Sequence, residues 1–522
     1  MQNNTREIER QNLYKSLWDI ATSCRGKIDG WDFKNYIFGF MFYRYLSERI
    51  TNYINDWVGE NFDYTVFNDK EISFRASIID DLGYFIYPSQ LFCNVAKNAN
   101  ENENLNTTLK NVFTSIENSA VGNKAEAAFL GLFDDVDVNS KKLGATVTEK
   151  NKLLAKVISG INVLDFKYNE EGEADILGDA YEYLMGHFAA NAGKGGGEYY
   201  TPPEVSTLLT KLGTVGKNSV DNVYDPTCGS GSLLLKSRKV LGTDNVGSFY
   251  GQENNLMTYN LARMNMFLHG VDFNRFDIVC GDTLANPQHT EQQFELIVSN
   301  PPYSVVWEGK KNPQNIHDPR FSVAGALAPD SKADFAFIMH MLSQLRNDGV
   351  ASIVCFPGIF YRSGAEQKIR QYLIDNNFVD CIIQLPENLF YGTSISTCIL
   401  VLKKNKTTRD VLFINASDEC VKVTNSNKLS DNNIDNILKM FTDRKDIQYV
   451  TKLVSNKDIE KEKYNLSVNT YVEQKSTTEE IDIDVLNTEI ATTVAKIDTL
   501  RSEINDIINE LDKDDKENKN EN

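Results

Sequence analysis

The chain has 522 residues, which is enough for two or three domains and too long for a small disulfide-stapled module. Hydrophobic residues make up 41% and charged residues 24%, so a wholly disordered or collagen-like chain is excluded. The net charge of −19 argues against a surface that binds nucleic acid on all sides, because Lys and Arg drive phosphate binding.

The sequence predicts a cytoplasmic protein without a membrane span. Its richest apolar run begins at Tyr36 and is interrupted at Arg44, well short of the length that crosses a bilayer. The polar N-terminus, MQNNTREIERQN, contains no apolar segment for export. The eight cysteines form no C-x-x-C pair and the five histidines are scattered, so neither a metal site nor a disulfide framework is predicted.

Residues 8–190 are predicted to form an all-α N-terminal domain. Apolar residues near its start recur at the i, i+3, i+4, i+7 spacing of one helix face, namely Phe38, Met41, Phe42, Tyr45, Leu46 and Ile50. The segment Asp175–Phe188 has the same character, and alternating strand patterns are sparse.

Residues 191–475 are predicted to form an α/β domain. It opens with NAGKGGG at 191–197, which suits a joint or a ligand-facing loop. Short β-branched runs then alternate with helical segments, which is typical of a mostly parallel sheet covered on both faces. The seven predicted strands are Val220–Tyr224, Val246–Tyr250, Phe276–Cys280, Phe294–Ser299, Val350–Phe356, Phe378–Leu385 and Thr397–Leu402.

The C-terminal part, residues 476–512, is predicted to be one long helix with a narrow apolar stripe. The stripe consists of Ile483, Leu486, Ile490, Ile497, Leu500, Ile504, Ile507 and Leu511. A helix of this kind needs a partner, although docking on its own domain is an alternative. The charged residues 513–522 are predicted to be disordered.

Three acidic or glycine-rich features follow three successive predicted strands. The first strand runs into DPTCGSG, whose Gly229 and Gly231 let the backbone approach a ligand ahead of a helix N-terminus. Glu253 ends the second strand and is placed to accept hydrogen bonds from ribose hydroxyls, and Asp282 follows the third. A glycine turn alone is common, and each acid could instead cap a helix. Together they favour a nucleotide-like cofactor.

The strongest motif is Asn300-Pro301-Pro302-Tyr303, directly after the fourth strand. Pro301 keeps Asn300 out of α geometry and stiffens the turn. An Asn side-chain oxygen and a Pro carbonyl held in this way can accept both hydrogens of an amine on a planar base, which favours a tetrahedral nitrogen with an outward lone pair. Tyr303 offers a ring on which an extruded base can stack.

This set of motifs resembles the S-adenosylmethionine-dependent amino-methyltransferases. The segment EYYTPP from Glu198 is similar to a motif that precedes the first strand in many DNA adenine methyltransferases. With the helical N-terminal domain, KADFAFIMHML, ENLFYGTSISTCILVL and the C-terminal helix, the whole chain resembles the modification subunit of type I restriction-modification systems. The resemblance implies a seven-stranded Rossmann-like methyltransferase core and methylation of adenine N6 in duplex DNA.

The resemblance also implies residue roles. Residues that would contact the cofactor are Glu198, Tyr199, Tyr200, Thr201, Pro202, Pro203, Asp225, Gly229, Ser230, Gly231, Ser232, Glu253 and Asp282. Thr201 would lie near its carboxylate, Glu253 would bind the ribose and Asp282 the adenine. Residues that would hold the flipped target adenine are Asn300, Pro301, Pro302, Tyr303 and Phe390. Ser232 and Cys228 depart from a common family form but are small enough to leave room.

The implied partners are a DNA specificity subunit, a second modification subunit and, in some systems, a restriction subunit. A specificity subunit would account for the acidic surface, since it would provide much of the DNA contact. Alternative functions are methylation of RNA bases or protein glutamine, and a catalytically silent scaffold with the same fold. A dehydrogenase is disfavoured because the sequence lacks GxGxxG and NPPY would be unexplained.

Overall fold

The computed structural model describes residues 2–22, 30–59, 61–164, 176–191, 200–390, 394–423, 426–474 and 483–518. Residues Met1–Glu473 form one compact unit and residues Gln474–Asn522 form another. The predicted glycine-rich segment from residue 192 onward, together with Glu198 and Tyr199, lies outside the described residues.

The described part of the chain before residue 200 is helical and contains no strand. Its helices are α1 (Gln2–Thr22), α2 (Gly30–Val58), α3 (Arg75–Leu82), α4 (Phe92–Lys97), α5 (Leu105–Ala120), α6 (Glu126–Phe129), α7 (Val147–Asn162) and α8 (Ile176–Asn191). Helix α7 begins with a capping box in which the Thr146 hydroxyl and the Glu149 carboxylate satisfy backbone N–H groups.

Every residue of helix α2 from Phe33 to Tyr43 is buried, whereas its last turns expose Asn52, Asp56 and Trp57. The predicted apolar face is therefore only part of its buried surface, because α1, α4, α7 and α8 pack around it. The periodic spacing identified a helix but not its burial on all sides.

The α/β part contains eleven strands among the described residues. They are β1 (Val220–Asp225), β2 (Val246–Glu253), β3 (Phe276–Cys280), β4 (Phe294–Ser299), β5 (Leu345–Cys355), β6 (Val379–Gln384), β7 (Cys398–Lys403), β8 (Asp410–Asn415), β9 (Val421–Val423), β10 (Ser426–Lys428) and β11 (Thr451–Ser455). The helices are α9 (Pro203–Gly213), α10 (Ser232–Leu241), α11 (Leu256–Leu268), α12 (Pro313–His317), α13 (Pro319–Ser322), α14 (Asp334–Gln344), α15 (Ala365–Asp375), α16 (Asp431–Asp443), α17 (Asn456–Lys461) and α18 (Val468–Tyr471).

One large sheet organises these elements, in the order β11-β8-β6-β7-β5-β4-β1-β2-β3. Strands β3, β2, β1, β4 and β5 are parallel neighbours, and β7 lies antiparallel between β5 and β6. The strand order reverses between β1 and β4. Strand β2, which follows β1 in the chain, pairs with one edge of β1, and β4 pairs with the other edge. Open α/β sheets bind ligands at such a switch point, outside the carboxyl ends of the strands.

The sheet has nine strands where seven were predicted. All seven predicted strands are present, and β8 and β11 extend the sheet beyond β6. Strands β9 and β10 form a separate antiparallel pair. The doubly covered Rossmann-like arrangement itself is confirmed.

Two apolar cores cover the two faces of the sheet. Leu296 and Val298 of β4 belong to one core, whereas Phe294 and Ile297 belong to the other. The first core is continuous with the buried side chains of the N-terminal helices, including Phe42. The helical region and the sheet therefore share one hydrophobic interior.

The second unit contains helix α19 (Ile483–Asn518). This helix continues to Asn518, whereas a disordered tail was predicted from residue 513. Its apolar side chains are about half exposed within the described residues, namely Leu486, Ile490, Val494, Ile497, Leu500, Ile504, Ile507 and Ile508. In the part of the chain that is described, no helix combines the length and apolarity that a bilayer crossing requires.

Candidate active site

A cleft lies at the switch point, and it joins the glycine turn to the Asn-Pro-Pro-Tyr motif. Its lining residues are Thr201, Asp225, Thr227, Cys228, Gly229, Ser230, Ser232, Leu233 and Asn300. They come from the segment before α9, the carboxyl end of β1 and the carboxyl end of β4. The structure thus brings three separately predicted motifs to one place.

The glycine turn adopts the backbone conformation that its sequence requires. Gly229 and Gly231 have φ angles of 54° and 76°, which side chains with a Cβ atom rarely adopt. Gly231 precedes the first residue of α10, and Ser232 and Leu233 at the N-terminus of that helix line the cleft. The Ser230 and Ser232 hydroxyls lie 3.0 Å apart, and Asn265 donates to the Ser230 carbonyl, so both serines are also part of the turn's internal support.

Asp225, at the end of β1, is buried at the base of the cleft. Its Oδ1 accepts hydrogen bonds from Ser299 Oγ (2.7 Å) and from the Thr227 backbone N–H (3.0 Å). Burial raises the pKa of Asp225 to about 7. Repulsion from Glu253 also raises this pKa, whereas the hydrogen bonds from Ser299 and Thr227 lower it. A cationic ligand in the cleft would favour the ionised carboxylate.

Glu253 connects the second strand to the glycine turn. Its Oε2 accepts from the Gly229 N–H at 3.0 Å, and its Oε1 accepts from the Asn255 N–H at 2.8 Å. A carboxylate has about four lone-pair sites, so acceptor capacity remains for ribose hydroxyls. Burial raises the pKa of Glu253 above its ordinary value.

Asp282 is exposed in the loop after β3. Its Oδ1 accepts from the Leu284 and Ala285 N–H groups at 2.8 and 3.2 Å, which orients the carboxylate. Because Glu253 and Asp282 follow adjacent parallel strands, both carboxylates lie at the same edge of the sheet. The glycine cradle and these two acceptors fit a nucleoside with a cationic substituent, as in S-adenosylmethionine.

The Asn300 amide makes a hydrogen bond at each end. Its Nδ2 donates to Thr201 Oγ1 at 3.2 Å, and its Oδ1 accepts from the Tyr303 hydroxyl at 2.8 Å. Pro301 is buried, whereas Asn300, Pro302 and Tyr303 are half-buried and reach the surface. The Asn300 oxygen is therefore oriented by its own motif before any base is present.

The remaining predicted residues fall into different environments. Tyr200 is buried, and its ring lies against Gly186 of α8. Pro202 is buried beside the exposed Pro203, which starts α9. Phe390 is buried in the apolar core, only 5% exposed, so it presents no free ring in this structure.

Two further polar residues at the site were not predicted. Thr227 and Ser299 have hydroxyls 2.9 Å apart, and both bond to Asp225. They tie the end of β1 to the end of β4. Each lies within a predicted motif or beside one, but sequence spacing alone does not show which hydroxyls meet across a sheet.

The comparisons with known proteins agree on one family. Residues 172–480 match the family described as N-6 DNA Methylase, and residues 13–161 match the HsdM N-terminal domain. The Type I restriction enzyme MpnII methylase subunit of Mycoplasma pneumoniae is 45% identical over 97% of each chain. The MjaVII methylase subunit of Methanocaldococcus jannaschii is 30% identical over 91% of this chain and 80% of its own.

A solved structure gives the same result. The type I restriction-modification system methyltransferase subunit from Streptococcus thermophilus has a TM-score of 0.81 and 37% identity, covering 89% of this chain and all of that one.

The sheet order and the joined motifs define a Rossmann-like fold with a cleft at its switch point, and the family match makes it a methyltransferase of the S-adenosylmethionine-dependent class. The chain belongs to the N-6 DNA methylase family, and within it to the adenine-specific modification subunits of type I restriction-modification systems. This confirms the predicted family, enzyme class and function, and it disfavours the RNA, glutamine and silent-scaffold alternatives.

Proposed function

We propose that Asn300 and Pro301 hold the N6 amine of a flipped adenine at the mouth of the cleft. Support comes from the position of Asn300, which lines the same cleft as Gly229 and Asp225. The Asn300 oxygen and the Pro301 carbonyl would accept the two amine hydrogens and stabilise the positive charge that develops on nitrogen. Alignment with the methyl donor then provides much of the rate, and no covalent enzyme intermediate is needed.

The cofactor would occupy the cleft with its nucleoside toward the ends of β2 and β3. When bound, S-adenosylmethionine would supply a methyl group on a positively charged sulfur. Glu253 would accept from the ribose hydroxyls and Asp282 from the adenine amine. Asp225 would balance the positive charge, and Thr201 would lie near the carboxylate, within reach of the Asn300 amide.

The target base would leave the duplex and stack on Tyr303, which is half-buried beside Asn300. Phe390 would reach the opposite face only if the segment around it rearranges, because its ring is buried. The Tyr303–Asn300 hydrogen bond would shift to make room for the amine, or persist on the second lone pair of the amide oxygen.

The sequence-reading partner would be a DNA specificity subunit, with a second modification subunit in the same complex and a restriction subunit in systems that cleave DNA. The net charge of −19 supports a division of labour in which the partner supplies much of the DNA contact. The exposed apolar residues of α19 support a helical contact with that partner.

To test this, the purified chain is incubated with labelled S-adenosylmethionine and duplex DNA, with and without a co-expressed specificity subunit, and methylated adenine is measured. We expect methylated adenine only with the partner, and about 100- to 1000-fold less with Asn300→Ala, because an oriented acceptor that stabilises developing charge is lost. S-adenosylmethionine binding by that variant should persist.

Asn222→Ala is the matched control. Asn222 also uses both ends of its amide, with Gln293 and Glu295, but at the opposite end of β1. Label in RNA or protein instead of DNA, or full activity of Asn300→Ala, would overturn the assignment.

A further inference from the structure

The segment that follows Asn-Pro-Pro-Tyr carries a buried arginine with no role in the proposed chemistry. Arg320, in α13, is 8% exposed. Its guanidinium donates to the backbone carbonyls of Thr283 (3.0 Å) and Leu284 (2.8 Å), in the loop after β3. It also donates to both carboxylate oxygens of Asp318 and approaches His340 Nδ1 at 3.1 Å.

All five N–H groups of the guanidinium therefore have an acceptor. Only a planar fork with five donors can satisfy two carbonyls, a carboxylate and a ring nitrogen at once. The Arg320 guanidinium lies where the loop after β3 contacts the segment after β4.

The contact with His340 fixes the tautomer of that histidine. Arginine has only donors, so Nδ1 must accept and the proton of the neutral ring must sit on Nε2. Nε2 lies 2.9 Å from the Tyr224 hydroxyl, which accepts the hydrogen bond. Burial lowers the pKa of His340 to about 3, so the ring stays neutral. Tyr224 lies on β1, so the network joins β1 to the segment that carries Arg320.

The carbonyls that Arg320 holds belong to the loop that orients Asp282. Asp282 Oδ1 accepts the N–H groups of Leu284 and Ala285, while Arg320 holds the carbonyls of Thr283 and Leu284. The peptide group between Leu284 and Ala285 is thus held from both sides. The Thr283 hydroxyl adds a hydrogen bond to the Pro226 carbonyl beside the glycine turn.

We propose that Arg320 is a positioning residue for the cofactor adenine and acts through the Asp282 carboxylate. It ties the segment that follows the base-binding motif to the loop that follows β3. This inference rests on the proposed contact between Asp282 and the cofactor adenine.

The test is a double-mutant cycle on S-adenosylmethionine binding, measured by calorimetry with the full chain. Arg320→Lys keeps the charge but loses the fork, and we expect it to raise Kd about tenfold. Methyl transfer at saturating S-adenosylmethionine, in the complex with the specificity subunit, should stay within about twofold. In an Asp282→Asn background, Arg320→Lys should raise Kd by less than about twofold more, because the group it positions is already gone.

Arg370→Lys is the matched control. Arg370 is 2% exposed and donates to the carbonyls of Tyr464 and Ile359, away from the loop after β3. Its replacement should lower thermal stability without changing the Kd for S-adenosylmethionine. An equal rise in Kd with Arg370→Lys would mean general loosening and would overturn the proposal.

Two other outcomes separate the inference from the proposed function. If Asp282→Asn leaves Kd unchanged, the adenine contact itself is wrong. If Asp282→Asn weakens binding but the effect of Arg320→Lys is additive with it, only the role of Arg320 is wrong. Should Arg320→Lys fail to fold, Asp318→Asn serves in the same cycle, because it removes the carboxylate that holds the guanidinium and its side chain is 20% exposed.

Discussion

The Tyr303 hydroxyl occupies the same Asn300 oxygen that the target amine is proposed to use. Removing that hydroxyl leaves the ring for stacking. We expect Tyr303→Phe to methylate DNA within a few-fold of the unmodified chain in single-turnover assays, whereas Tyr303→Ala should be slower by about 10- to 100-fold, because base–aromatic stacking contributes about 1–3 kcal/mol. A Phe variant as slow as the Ala variant would show that the hydroxyl, and not the ring, is what the reaction needs.

Asp225 gives the cofactor site a pH dependence of definite sign. Burial raises its pKa to about 7, well above that of an unfolded aspartate near 4, so the free protein loses stability as pH rises between these values. A cationic ligand favours the ionised form. Affinity for S-adenosylmethionine should therefore increase with pH, by at most about tenfold per unit, and level off above about pH 7.

Asp225→Asn should weaken the binding and remove this slope in calorimetry between about pH 5.5 and 8.5. S-adenosylhomocysteine, which lacks the sulfonium charge, is the control ligand and should show a shallower slope. A flat profile for S-adenosylmethionine with the unmodified chain would contradict the charge role of Asp225.

At the scale of elements, the glycine turn offers a test in which backbone strain is held constant. Gly231 and Gly216 have φ angles of 76° and 79°. A Cβ on Gly231 would lie 3.1 Å from Met266 Cε, whereas one on Gly216 would meet nothing within 4 Å. Both Ala variants should lose about 1 kcal/mol of unfolding free energy. Only Gly231→Ala should also weaken S-adenosylmethionine binding, by about tenfold. Equal effects on binding would argue against the turn as the cofactor cradle.

The helices and strands also show which structural features can be predicted from sequence patterns. Strands β3 and β4 have their predicted bounds, because a strong apolar pattern and clear turn residues delimit them. Strand β8 was missed because its apolar run follows a charged loop and carries no motif, and β11 pairs only with β8 at the sheet edge. Both depend on pairing, which local sequence does not encode.

The same distinction holds at the site. Gly229, Glu253 and Asn300 could be predicted because each follows a strand directly, and parallel strands place their carboxyl ends at one edge. Arg320 and His340 could not, since the carbonyls that Arg320 binds and the tyrosine that faces His340 lie 36 or more residues away in the chain. Burial of Phe390 was likewise invisible, because an aromatic residue in a loop fits either a core or a base-stacking role.

At the scale of the whole molecule, the N-terminal helices support the proposed cofactor site through α11. The Arg263 guanidinium, in α11, donates to the carbonyls of Ala127 and Leu130, and the Tyr45 hydroxyl donates to the Phe267 carbonyl. Helix α11 begins just after Glu253, whose carboxylate accepts from the Asn255 N–H. The helical region thus packs against the α/β part and fixes the helix that follows Glu253, the residue proposed to bind the ribose.

The apolar stripe of α19 is proposed to act in assembly with the specificity subunit rather than in catalysis. Leu500 and Ile504 are 57% and 56% exposed. We expect Leu500→Glu with Ile504→Glu to abolish co-purification with the specificity subunit, since two charges would be buried in an apolar helical contact. Deletion of the residues after Thr478 should do the same.

Ala495→Glu with Ser502→Glu is the matched control for this test. An α-helix turns about 100° per residue, so Ala495 and Ser502 lie on the face opposite to Leu500 and Ile504 and would receive the same two charges. The control should co-purify normally, and all three variants should bind S-adenosylmethionine with unchanged affinity, because none alters the residues of the cleft. Adenine methylation should be lost only in the stripe variant and the truncation, since the specificity subunit is proposed to supply much of the DNA contact. An intact complex after truncation would mean that the specificity subunit contacts other surfaces, and loss of the complex in the control would mean that added charge alone prevents assembly.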